Sequence, residues 1–199
     1  MLLSAKVLTI LPACNRLLTV GGTGRHVGKT EFICRLIKKI SAQRPVYAIK
    51  VSAFFPDEEL YHGDHLTDEP SLYLFEETNN TSDKDTSRML QAGAVRVFYL
   101  RTSESGITVG FEKFLRQMPE KGAVICESNS LGQFVQPALF IMIKPVSGEI
   151  KARAAAQLQC ADLMVVSDGV SGFPDLASIS FSEAIGWIIQ TNPPLDAHQ

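Results

Sequence analysis

Six short apolar runs punctuate the chain: Leu17–Val20, Val46–Val51, Val95–Leu100, Ala123–Cys126, Leu139–Ile143 and Leu163–Val166. Helix-length stretches or longer connections separate nearly all of them. Residues of both parities are apolar within each run, so both faces need cover. That pattern predicts strands of a mainly parallel sheet with helices on each side, an α/β chain of three layers, rather than a half-solvated antiparallel sheet. Between the first two runs, Phe32, Ile33, Leu36, Ile37 and Ile40 fall on one face of Glu31–Ile40, the spacing of an amphipathic helix. A second helix is expected to start within Ser82–Arg88 and to run to Gly93. The connection 52–82 breaks the rhythm with the acidic and turn-forming stretches Pro56-Asp57-Glu58-Glu59, Gly63-Asp64 and Thr67-Asp68-Glu69-Pro70. It contains one further strand pattern at Leu72–Phe75, and insertions of this kind are functional loops or edge elements.

Composition narrows the class. With 199 residues, 45% hydrophobic and 20% charged, the chain fits one globular domain, placed at residues 15–191. Residues 1–14 read as an N-terminal leader or an extra strand, and 192–199 as a flexible tail. Leu11-Pro12-Ala13-Cys14 faintly resembles a lipoprotein cleavage site, but Lys6 interrupts the apolar region before it. Net charge is −2 and the basic residues are dispersed, which argues against nucleic acid as a partner. No run reaches the roughly 18 apolar residues of a membrane span. The four cysteines, Cys14, Cys34, Cys126 and Cys160, form no C-x-x-C pair and are expected to be reduced thiols. His62 and His65, beside Asp64 and Asp68, lie among turn residues and read as solvated surface rather than a metal cluster.

The chemistry is concentrated where the first strand meets the first helix. Gly21-Gly22-Thr23-Gly24-Arg25-His26-Val27-Gly28-Lys29-Thr30 reads as a phosphate-binding loop, one residue longer than the commonest spacing when counted from Gly22. Glycines let backbone N–H groups curl around a polyphosphate, Lys29 reaches its terminal phosphates, and the Thr30 hydroxyl is suited to Mg²⁺. Ligands of an open parallel sheet sit at the carboxyl ends of its strands. Polar residues there are therefore candidates: Lys50 at the end of the second strand, for a phosphate or substrate, and Glu127 after Cys126, for Mg²⁺ directly or through water. Asp85 opens the second helix, where pattern alone ranks it no higher than Asp83. Asp168, in Ser167-Asp168-Gly169, fits either a guanine contact or an ordinary turn.

Gly28-Lys29-Thr30, the strand ending in Ile49-Lys50, the segment Lys84-Asp85-Thr86-Ser87-Arg88 leading into Gln91-Ala92-Gly93-Ala94, and the strand tip Glu127 together resemble the molybdopterin-guanine dinucleotide biosynthesis protein B (MobB) family. The resemblance spans about Leu17 to Leu131 and implies a P-loop NTPase fold. It also implies GTP binding with weak hydrolysis, Mg²⁺ as cofactor, and a cytoplasmic role with a protein partner in attaching a guanine nucleotide to molybdopterin. A homodimer is compatible with that role. On this basis Lys29, Asp85 and Glu127 are the candidate catalytic residues, Thr30, Asp85 and Glu127 the candidate metal ligands, and Asp85 moves ahead of Asp83. The longer loop is similar to that of dethiobiotin synthetase, and Glu127-Ser128 stands where both families have Glu-Gly. An ATP-dependent small-molecule ligase and a non-catalytic adaptor ordered by its nucleotide are thus the alternative readings.

Overall fold

The computed structural model describes residues 13–54, 72–147, 150 and 152–190. A seven-stranded sheet forms its centre, with strand order β3-β4-β2-β5-β1-β6-β7. The strands are β1 (Ala13–Gly22), β2 (Val46–Phe54), β3 (Leu72–Glu77), β4 (Arg96–Ser103), β5 (Ala123–Glu127), β6 (Gln136–Pro145) and β7 (Leu163–Ser167). All neighbours pair in parallel except β3, which runs antiparallel to β4 at one edge. The helices are α1 (Lys29–Ser41), α2 (Asp85–Gln91), α3 (Ile107–Leu115) and α4 (Ala152–Leu158). A small antiparallel hairpin, β8 (Ile179–Ser182) and β9 (Gly186–Ile189), follows β7.

Alternate residues of the central strands enter different cores, which is why the runs are apolar at both parities. Leu18 and Val20 of β1, Val46 and Ala48 of β2, and Ala123 and Ile125 of β5 pack with Phe32, Ile33, Leu36 and Ile37 of α1 and Met89 of α2. Their neighbours Leu17, Tyr47, Ile49, Val124 and Cys126 pack on the other side with Ile107, Phe111 and Phe114 of α3. On β6 the split continues, with Leu139, Ile141 and Ile143 on the α1 side and Phe140 and Met142 facing Ala154 of α4. The expected α/β architecture with a mainly parallel sheet and helices on both faces is therefore present.

Several boundaries differ from the sequence reading. β1 begins at Ala13, so Cys14 belongs to the strand, and residues 1–12 lie outside the described residues. Its first part pairs only with β6, through Ala13 with Gln136 and Cys14 with Pro137, and carries polar Asn15 and Arg16, which hid it from an apolar pattern. Lys50 does not end β2. Pairing with β5 stops at Lys50 opposite Glu127, whereas pairing with β4 continues to Phe54 opposite Ser103. The lysine thus sits at the end of one ladder and in the middle of another. The second helix spans only Asp85–Gln91. His62, His65, Asp64 and Asp68 lie outside the described residues, as do 192–199.

The hairpin leaves no periodic pattern in the sequence, since its strands are only four residues long. It closes the lower end of the α1 side with Ile179, Phe181 and Trp187. The Trp187 indole N–H donates to the Arg16 carbonyl at 2.8 Å, and the Lys39 ammonium donates to the carbonyls of Leu176, Ala177 and Ile179. All four cysteines are free thiols, and Cys126 is fully buried, which pushes its thiol pKa up. Among the described residues no helix is long and apolar enough to cross a membrane.

Candidate functional site

β1 delivers the glycine-rich loop to the carboxyl edge of the sheet, and α1 starts directly after it. Gly22 is required by close approach: a Cβ there would meet Val27 Cγ2 at 2.7 Å and Lys29 Cδ at 2.9 Å. Its N–H donates to Asn129 Oδ1 at 2.8 Å, and the Thr23 N–H donates to the Ile143 carbonyl at 2.9 Å. These two amides anchor the loop to its neighbours, so the part of the predicted stretch whose amides are not committed in this way begins at Gly24. There the backbone turns left-handed twice, at His26 (φ 56°) and Gly28 (φ 92°), an alternation that makes a concave arrangement of N–H groups. Arg25 and His26 are exposed at the loop tip, whereas Val27 is buried beneath it. The Lys29 ammonium folds back over the loop and donates to the Gly24 carbonyl at 3.0 Å. Burial lowers its pKa, the nearby Glu127 charge acts against this and Lys50 reinforces it.

Behind Lys29 four side chains from four elements close into a ring. Thr30, in the first turn of α1, places Oγ1 2.9 Å from Asp85 Oδ1 and 2.9 Å from Glu127 Oε2. The Lys50 ammonium donates to Asp85 Oδ2 and, at 3.1 Å, to Glu127 Oε1. Asp85 gets there as the first residue of α2, whose N-terminus favours a carboxylate. Exposed Asp83 is not part of the ring. Glu127 arrives on the tip of β5, between β1 and β2, and is only 5% exposed.

The electrostatics follow from that arrangement. Burial alone would lower the Lys50 pKa and raise that of Asp85. For Lys50, the Glu127 charge and the Asp85 hydrogen bond outweigh burial, and the net shift is upward. For Asp85, the Lys50 hydrogen bond and charge, with the Thr30 hydroxyl, bring the carboxyl below its ordinary value. Two carboxylates share one ammonium and one hydroxyl proton, so the centre has more acceptors than donors.

These residues line a cavity of about 710 Å³ that runs from Arg25–Glu31 past Lys50 to Ala53 and across to Glu127–Ser130. Its wall includes side chains the sequence reading left without a role. Asn129 holds Gly22, as described. Arg88 of α2 bonds Glu31 of α1 at 2.6 Å, tying the two helices together beside Thr30. Ser128 Oγ accepts from the N–H groups of Ser130 and Leu131, both at 3.0 Å, and so turns the chain after β5. Asn129 was legible as a polar residue just past a strand tip; Arg88 and Glu31 carry no such signal, because their proximity depends on helix packing.

Asp168 is placed differently from the other candidates. It lies outside the cavity lining, just beyond β7, fully exposed. Its Oδ1 accepts from the N–H groups of Val170 and Ser171 at 2.8 Å each, and its Oδ2 accepts from the Ser171 hydroxyl. These bonds, the Ser171 hydroxyl foremost, lower its pKa to about 2. The turn it caps leads to Phe173, whose ring packs edge-on against Phe32, so Asp168 shapes the support of α1.

Among the described residues no group of three or more His, Cys, Asp or Glu side chains gathers in metal-binding geometry. Any cation at the ring would rest on the Thr30 hydroxyl and two carboxylates. In comparisons with protein-family models, curated proteins and solved structures, the chain gave no match.

Proposed function

We propose that this chain binds a nucleoside triphosphate at the Gly22–Thr30 loop, with GTP favoured by the MobB resemblance. The observation that carries the reading is the convergence of four groups: Lys29 and Thr30 at a loop–helix junction, and Asp85 and Glu127 brought to the same point from α2 and β5. The left-handed turns at His26 and Gly28 and the start of α1 provide oriented N–H groups for phosphate oxygens. Lys29, already among the acceptors of the loop, exchanges the Gly24 carbonyl for a phosphate oxygen.

The donor set suits Mg²⁺. One Thr30 proton faces two carboxylate oxygens at equal 2.9 Å separation, and a hydroxyl with one or two carboxylates, completed by phosphates and water, is the usual protein share of a Mg²⁺ shell. Thr30, Asp85 and Glu127 would hold the ion, which supplies charge neutralisation of the phosphates when bound. The protein's own contribution is positional. Loop amides and Lys29 stabilise negative charge on the transferred group, and Glu127 orients an attacking water; such positioning and charge stabilisation dominate phosphoryl transfer. Slow turnover is what the MobB resemblance implies. A protein partner in molybdenum-cofactor biosynthesis, acting in the cytoplasm, completes this reading.

The length of the cavity favours one other reading. Beyond Lys50 it continues along Val51–Ala53 and Ser128–Ser130, room for a small co-substrate beside the phosphates, as an ATP-dependent ligase similar to dethiobiotin synthetase would need. Competition binding of GTP and ATP with Mg²⁺ separates the two: GTP preference supports the first, ATP preference the second. Because Asp168 already serves its own turn, Asp168→Ala is expected to leave the GTP/ATP ratio unchanged; a changed ratio would assign it to the base.

A further inference from the structure

The ring around Thr30 has a property that the nucleotide reading does not require. Each carboxylate divides its two oxygens in the same way, one toward the Thr30 hydroxyl (Asp85 Oδ1, Glu127 Oε2) and one toward the Lys50 ammonium (Asp85 Oδ2, Glu127 Oε1). Lys50 therefore spans the two groups from the side opposite Thr30. The geometry points to Lys50 as a built-in counter-cation, one that holds the metal-binding carboxylates in place and competes with the divalent ion for them. This role rests on the Mg²⁺-nucleotide reading of the same site.

Three observations carry it. First, among the described residues Lys50 is the only ammonium bonded to both carboxylates, and Glu127, at 5% exposure, has little solvent to replace it. Without Lys50 the two carboxylates would face each other across one shared proton, a like-charge arrangement that draws in another cation. Second, a dication on the Thr30 side would share both carboxylates with the ammonium, adding like-charge repulsion at close range. Third, Lys50 has somewhere to go. Its side chain is 24% exposed and lines the same cavity as the loop, so a polyphosphate entering with the ion offers it a new anionic partner. Its place in the middle of the β2–β4 ladder and at the end of the β2–β5 ladder fixes the Cα while leaving the amine end facing the cavity.

The consequence is coupling. Mg²⁺ alone meets the full competition of Lys50, whereas Mg²⁺ with nucleotide meets a lysine that can move to phosphate. The site is thereby biased against free metal and toward the metal–nucleotide pair.

The test uses nucleotide-free protein and MgCl₂ alone, read by calorimetry and by the thermal midpoint with EDTA or Mg²⁺. For Lys50→Met the midpoint in EDTA falls, and Mg²⁺ affinity rises about tenfold or more over the wild type, as expected from removing an adjacent positive charge. Should Lys50→Met fail to fold, Lys50→Gln keeps a hydrogen-bond donor without the charge and gives the same increase. Mg²⁺ affinity equal to or below the wild type in the folded Lys50 variant overturns the inference. Triphosphate binding by the wild type is measured in parallel: its absence overturns the functional proposal, and its presence with an unchanged Mg²⁺ response overturns the Lys50 role alone.

Discussion

Glu127→Ala is the perturbation whose effect on folding can be worked most directly from the ring. The side chain is 5% exposed and accepts from Lys50 Nζ at 3.1 Å and Thr30 Oγ1 at 2.9 Å. Removing one partner of a buried ion pair destabilises by about 3–5 kcal/mol when the remaining charge is left alone. That is the upper limit here, because Lys50 and Thr30 both keep Asp85. The single Thr30 proton is kept by Asp85 Oδ1, so the direct loss is the charge-assisted bond from Lys50, roughly 1.5–3 kcal/mol, reduced by relief of repulsion between the carboxylates and increased by the small void left behind. The expected net loss is about 2 kcal/mol. Trp187 is the chain's one tryptophan and 3% exposed, so its fluorescence reports urea unfolding of the α1-side core directly. A loss below about 0.5 kcal/mol, or a gain in stability, would show that the carboxylate is held at a net cost and that the ring does not stabilise the fold.

Two further outcomes follow from the same geometry. Asp85 has its pKa lowered from 3.8, so its contribution is present above that value and lost as pH falls through its lower folded value; Lys50 has its pKa raised from 10.5, so its contribution is full below that value and lost as pH rises through the higher folded one. The ring's stabilisation is therefore a plateau between these limits, and Asp85→Asn should flatten the acid side of a midpoint-against-pH profile; an unchanged acid limb would contradict the pairing. Gly28→Ala places a side chain at φ 92° with its Cβ 3.0 Å from Ser167 Oγ, and is expected to destabilise by about 1–2 kcal/mol or more, whereas Gly24→Ala, whose nearest neighbour is 3.5 Å away, should lose less in the same urea titration. Equal effects would mean that the loop does not need its left-handed turn.

How much the sequence disclosed depended on what kind of signal each feature leaves. Strands apolar at both parities, such as Val46–Ile49 and Ala123–Cys126, announce a sheet covered on both faces, and α1 carries its apolar stripe openly. The hairpin 179–189 leaves no comparable trace, because two four-residue strands are fixed by Trp187 and Lys39 contacts with distant carbonyls. Within the site, Lys29 and Thr30 were readable from local spacing. The partners of Lys50 were not. Its link to Asp85 and Glu127 arises from the order β2-β5-β1, which places strands far apart in sequence side by side. Asp85 could be separated from Asp83 only by resemblance until the start of α2 turned one inward and left the other in solvent. For Asp168, both the ligand and the turn readings fitted the residues, and its hydrogen bonds to Val170 and Ser171 describe the turn.

Titration of the wild type and Lys29→Ala with GTP in the presence of Mg²⁺, by calorimetry at matched protein stability, tests the central claim most directly. Binding by the wild type and a loss of about tenfold or more in Lys29→Ala is the expected result, since the variant removes the ammonium folded over the Gly24 carbonyl at the mouth of α1. Undetectable binding by the wild type to GTP and to ATP, or equal affinity in the variant, would contradict a phosphate-binding role for the loop.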